Sequence, residues 1–187
     1  MKKFLLVCIT VILCNCNSYY SPEKLFKETL TTLDNHKFYF SSIKKHEFTS
    51  VFFLYPDCPM CINYSSVINN INKKIKTLNT LCIIPSKHYS IEEIKKFINT
   101  YKLNYPILID SKNNISNLLN ATTVPEVFLI DNNGQIKYNG AIDNWAIELG
   151  KNRGLATEHF LLDAINEVSE GKKVTMKYVK PIGCIID

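Results

Sequence analysis

The segment Cys58-Pro59-Met60-Cys61 carries the residue types and spacing most able to do chemistry. Two cysteines three apart at the start of a helix bring their sulfurs within bonding reach. A helix N-terminus also presents free N–H groups and partial positive charge, which favour a thiolate over a thiol. The first cysteine is then the candidate nucleophile toward a disulfide, and the second, one turn inside, the thiol that resolves the mixed disulfide. Cys58 and Cys61 are the expected catalytic residues, and Cys58–Cys61 the expected redox-active disulfide. Pro59 suits the first helical turn because it has no N–H to leave unpaired. A bare C-x-x-C also occurs as half a metal site or as an inert pair. No second C-x-x-C and no His-x-x-x-His accompanies it, which argues against a four-ligand zinc centre. The pattern calls for no cofactor.

The elements around the pair are legible from periodicity. Residues 49–55 (TSVFFLY) form a β-branched and aromatic run, read as a buried strand that ends just before the cysteines. After them Cys61, Tyr64, Ile68, Ile71, Ile75 and Leu78 recur at spacings of three and four, the stripe of a half-buried helix. Residues 81–85 (LCIIP) and 106–110 (PILID) read as further strands, with Cys82 in the core. Between them Ser90 and Glu93 match a capping box opening a helix. Residues 114–120 read as a short helix, and 126–131 and 135–139 as a hairpin across Asn132-Asn133-Gly134. Residues 158–170 read as a last helix. Strands alternating with helices, then a hairpin and a helix, predict an α/β sandwich around a central mixed sheet. Residues 21–34 read as a short helix or lead-in, followed by an extended stretch at 37–41. Trp145 is expected on the sheet edge.

The N-terminus reads as an address. Lys2 and Lys3 precede ten apolar residues, 4–13, too few to span a bilayer but right for an export signal. The stretch ends Leu13-Cys14-Asn15-Cys16, and a Leu three residues before a Cys resembles the lipobox of bacterial lipoproteins. Cys16 fits the lipidated position better than Cys14, which would put bulky Leu13 just before the cleavage point. A plain secretory signal and an uncleaved hydrophobic tail are the alternatives. Export would place the remaining cysteines where disulfides persist. Residues 1–16 are thus the expected signal and lipobox, 17–36 a lead-in and 37–187 the body.

The chain of 187 residues is 46% hydrophobic and 21% charged, which fits one folded domain and excludes a disordered chain. Its formal charge of +5 falls to +3 without Lys2 and Lys3, and no basic run or Arg cluster argues for nucleic acid.

The segments VFFLYPDCPMC, YPILIDSKNNISNLLNATTVPEVFLIDNNGQIKYNGAID and GKKVTMKYVKPIGCIID together resemble the extracytoplasmic redoxins. These are thioredoxin-like proteins related to the alkyl hydroperoxide reductase/thiol-specific antioxidant group. The resemblance implies a thioredoxin-like three-layer sandwich over residues 37–187. It also implies a cis bond at Val124-Pro125 facing the cysteine pair, where the Val124 backbone would bind an incoming peptide as an added strand. Small thioredoxins carry a buried acid six residues before the first Cys and a Trp just before it, where this chain has Phe52 and Asp57. Asp57 would oppose thiolate formation if it lies close. Peroxidases of the group place Thr or Ser three residues before the reactive Cys and Pro four residues earlier. Here those positions hold Tyr55 and Val51, which disfavours peroxide reduction.

Cys184 lies in a Gly-Cys-x-Ile ending similar to that of such redoxins. It reads either as a third thiol approaching Cys58 and Cys61 or as a small apolar filler in a C-terminal strand. The expected function is thiol-disulfide exchange with cysteines of envelope proteins and a redox partner protein, from a lipid anchor on the membrane. The alternatives are a non-catalytic binding lipoprotein and a Cu(I) chaperone, since Met60 between two thiols is a soft cluster. Copper-delivery proteins of this fold, however, separate their cysteines by three residues and add a distant His. His36, His46, His88 and His159 show no ligand spacing.

Overall fold

Strands rich in β-branched and aromatic residues define the centre of the molecule. The computed structural model describes residues 20–85 and 87–186. The expected signal segment, with Cys16, lies outside them. The chain enters through helix α1 (Pro22–Lys27), whose N-cap Ser21 accepts from the Lys24 amide. Strands β1 (Thr29–Thr32) and β2 (Lys37–Tyr39) form a hairpin, followed by a 3-10 turn at Phe40–Lys45. Next come β3 (Phe48–Phe53), α2 (Pro59–Lys74), β4 (Asn79–Ile84), α3 (Ile91–Tyr101), β5 (Ile107–Ile109) and α4 (Asn114–Leu119). The second half holds β6 (Thr123–Val124), β7 (Glu126–Asp131), β8 (Ile136–Gly140), β9 (Ala146–Glu148), β10 (Lys151–Asn152) and α5 (Phe160–Ser169). The tail carries β11 (Tyr178–Val179) and β12 (Cys184–Ile185).

Eight strands make one mixed sheet in the order β11-β8-β7-β3-β4-β5-β1-β2. Strands β3, β4 and β5 are parallel, joined by α2 and α3, while β7 runs antiparallel to β3 and β8 to β7. This is the α/β sandwich with a mixed central sheet that the alternation of patterns predicts. All six residues of β7 are buried, as are five of six in β3 and in β4, so the centre of the sheet is covered on both faces. Phe53 and Phe128 meet edge to face at 5.7 Å within it. Fully burying a side chain of this kind contributes about 2 kcal/mol.

The boundary expected at residues 36/37 falls inside the β1–β2 hairpin. Thr31 pairs with Ile109 and Thr32 with Leu108, so residues before 37 belong to the main sheet. Thr-Leu-Thr-Thr is a β-branched run, and its pairing with β5 outweighs the helical reading of that stretch.

Local signals fix the ends of elements near the site. Ser90 accepts from the Glu93 amide at 3.2 Å while Glu93 accepts from the Ser90 amide at 2.8 Å, the reciprocal capping box. The buried Asp110 carboxylate closes the first turn of α4, accepting from the amides of Asn114, Ile115 and Ser116 at 2.7–2.9 Å. In the β7–β8 turn, Gly134 takes a positive φ of 78° that an L side chain resists. Asp131 steadies that turn through the amides of Asn133 and Gln135. No helix among the described residues is long and apolar enough to cross a membrane.

Candidate functional site

Strand β3 ends at Phe53, and after four intervening residues Cys58 stands as the N-cap of α2 with Pro59 at the first helical position. The chain therefore delivers Cys58 to a helix N-terminus, as its sequence predicts. Cys58 is 2% exposed and Cys61 is fully buried. The Cys61 sulfur accepts from the Tyr55 amide at 3.3 Å. Burial pushes its thiol up to about 12, with the Asp57 charge adding to the rise and the Tyr55 N–H opposing it. Asp57 itself is exposed, and its carboxylate receives the Tyr89 hydroxyl at 2.5 Å.

The expected Cys58–Cys61 disulfide is corrected by the structure. Cys58 is bonded to Cys184, 126 residues away, with Cα atoms 6.5 Å apart, and Cys61 is a free thiol. The physical reason lies in the tail. Strand β12 pairs antiparallel with β6, setting Cys184 opposite Val124 and Ile185 opposite Thr123. The Ile186 amide adds a bond to the Thr122 carbonyl at 3.0 Å. This ladder holds Cys184 at the outer sulfur, while Cys61 stays one turn inside under the Tyr55 amide. Cys184 thus lies against Cys58 and also packs on the core from β12, so both of its readings describe part of its setting.

Val124 and Pro125 lie where the resemblance implies. Their peptide bond is cis, and the Val124 carbonyl oxygen is 3.6 Å from the Cys58 sulfur. That contact is not a hydrogen bond while the sulfur is in a disulfide and carries no proton. Glu126, a buried acid that the sequence does not single out, supports this loop from beneath. Its carboxylate accepts from the Thr122 amide at 2.9 Å and the Thr123 amide at 3.3 Å, and burial holds it above the usual carboxylate range. The one available signal was a charged residue opening an otherwise apolar strand.

Beside the loop, a groove of about 210 Å³ is bordered by Tyr64, Pro125, Ile142, Phe160 and Ile182. The Tyr64 hydroxyl donates to Asp143 at 2.7 Å, and burial together with that carboxylate raises its pKa. Trp145 meets Tyr64 edge to face at 5.5 Å, so it packs against α2. Met60 and Cys82 are core residues. Among the described residues, no group of three or more His, Cys, Asp or Glu side chains is placed to hold a metal ion.

The arrangement of a helix-capping cysteine facing a cis-proline loop at the end of a mixed sheet defines a thioredoxin-like protein. The AhpC/TSA family model matches residues 23–139, well over half of the chain, and the chain belongs to that family. Solved structures share the fold at low identity. A hypothetical protein from Sinorhizobium meliloti 1021 is 22% identical with a TM-score of 0.75, over 85% of this chain and 89% of its own. An uncharacterized conserved protein from Geobacillus kaustophilus is 21% identical with a TM-score of 0.71, over 85% and 87%. A secreted disulfide oxidoreductase of Mycobacterium tuberculosis is 21% identical with a TM-score of 0.56, over 62% and 84%. No curated protein matches the chain.

Proposed function

We propose that this chain is an exported thiol-disulfide oxidoreductase that exchanges disulfides with cysteines of envelope proteins through Cys58. The single observation that carries this reading is a disulfide made by the helix-capping Cys58 beside the Val124 backbone, the place where a peptide would add as a strand. Family membership agrees with redox thiol chemistry.

The steps balance as ordinary exchange. With the Cys58–Cys184 bond reduced, the free N–H groups at the start of α2 favour negative charge on the Cys58 sulfur. That thiolate attacks one sulfur of a client disulfide. The client's other sulfur leaves with the bonding pair and takes up a proton. A second thiol of this chain then gives up its proton and attacks the Cys58 sulfur, releasing the client as a dithiol. Cys184 is placed for this step, since it is already the partner of Cys58. Cys61, pushed up to about 12, keeps its proton at neutral pH and acts as the inner reserve thiol. A dithiol partner protein restores the reduced chain, and the same steps in reverse oxidise a client dithiol.

The test is a trap. A chain carrying Cys61→Ser and Cys184→Ser has no second thiol at the site, so mixed disulfides through Cys58 should accumulate in the envelope fraction and vanish on adding Cys58→Ser. An empty trap contradicts the reading. Anchoring at Cys16 is tested separately by fatty-acid labelling, which Cys16→Ser should abolish.

A further inference from the structure

The tail seated on β6 matches its seat residue by residue, beyond the backbone pairing that any extended peptide could make. Gly183, just before the reactive Cys184, lies so close to the loop that a β-carbon there would sit 2.0 Å from the Val124 carbonyl oxygen and 2.7 Å from its carbon. Both are backbone atoms in a loop held by Glu126, so they cannot swing aside as a side chain would. Ile182, one residue earlier, packs against the core and borders the groove beside Pro125 and Tyr64. Ile185, one residue later, is 77% exposed and meets no such limit.

We infer that residues 182–186 are the chain's own copy of its client. The seat takes an extended segment, antiparallel to Thr123–Val124, in which an apolar residue and then a glycine precede the reacting cysteine. Tail and client compete for this seat. It is full while Cys184 is bonded to Cys58 and opens when that bond is reduced. The inference rests on the proposed role of Cys58 and adds the class of peptide it accepts. In the exchange, a bond forms between Cys58 and the client cysteine, the client's existing disulfide breaks, and its leaving sulfur departs as a thiolate. No net oxidation or reduction occurs in that step.

The probes are the hexapeptide Pro-Ile-Gly-Cys-Ile-Ile and its counterpart with Val in place of Gly, each carrying thionitrobenzoate on the cysteine, and a small aromatic disulfide without peptide. They are mixed with the full chain carrying Cys61→Ser and Cys184→Ser, and adducts are read by intact mass. The Gly peptide should join Cys58 at least about 10-fold faster than the Val peptide, a difference of about 1.4 kcal/mol. The small disulfide should modify Cys58 without regard to either. Equal rates for the two peptides, with the small disulfide still reacting, overturn the seat and leave the role of Cys58 standing. No reaction with the small disulfide overturns both. Gly183→Val, made in the otherwise native chain, gives an independent reading. It should lower the oxidised Cys58–Cys184 fraction several-fold in a peptide map, and an unchanged fraction overturns the proposal.

Discussion

The Tyr55 backbone amide donates to the Cys61 sulfur at 3.3 Å, fixing the inner thiol beneath the helix-capping Cys58. One N–H bond to a buried sulfur does not offset its desolvation, so Cys61 remains a thiol across the neutral range.

A pH dependence of stability follows. The Cys61 thiol rises from an ordinary value of 9.0 to about 12 on folding, so the native chain holds that proton more tightly than the unfolded chain. Its contribution is fully present below pH 9 and is lost as pH rises through about 12. Buried Tyr64 and Tyr105, also raised, add slope of the same sign. Cys61→Ala should therefore flatten, without abolishing, the alkaline fall in stability measured by urea unfolding at a series of pH values. Parallel curves for the two proteins would refute it.

Gly140 couples the sheet edge to the tail. Its φ is 121°, and a β-carbon there would lie 1.9 Å from the Val179 carbonyl oxygen, on the strand that leads into the Cys184 segment. Gly140→Ala should cost about 1–3 kcal/mol and also reduce the yield of the Cys58–Cys184 bond, because β11 anchors the approach to β12. Unfolding curves and a non-reducing peptide map check the two parts.

Asp110 supports the descent into β6. Its buried carboxylate accepts three α4 amides and the Ser116 hydroxyl. Asp110→Ala leaves those donors unpaired and should destabilise the chain by about 3 kcal/mol. Asp110→Asn, which keeps an acceptor, should cost less. Equal losses in denaturant midpoint would argue against the carboxylate's part.

What the sequence made legible was local. The Asn-Gly turn, the Ser90–Glu93 box and the strand before Cys58 each carry their signal within a few residues, and each is where periodicity and capping chemistry put it. The stripe expected through Ile75 and Leu78 overshoots, because α2 ends at Lys74 and those two side chains pack from the connection to β4. The two-residue strands β6, β10, β11 and β12 are too short to show a period of two. The pairing of Cys58 with Cys184 depends on β11 and β12 docking in succession across 126 residues, which no local spacing encodes. The Gly-Cys pair was visible as a motif, but the need for glycine emerges only with the Val124 carbonyl against it.

The most direct measurement is a titration of the purified chain in glutathione redox buffers, with each sample quenched by alkylation and mapped. One two-electron transition is expected, with Cys58 alkylated on the reducing side and bonded within the chain on the oxidising side, chiefly to Cys184. A Cys58 that stays open to alkylation throughout, or a disulfide that never yields to the buffer, would contradict it.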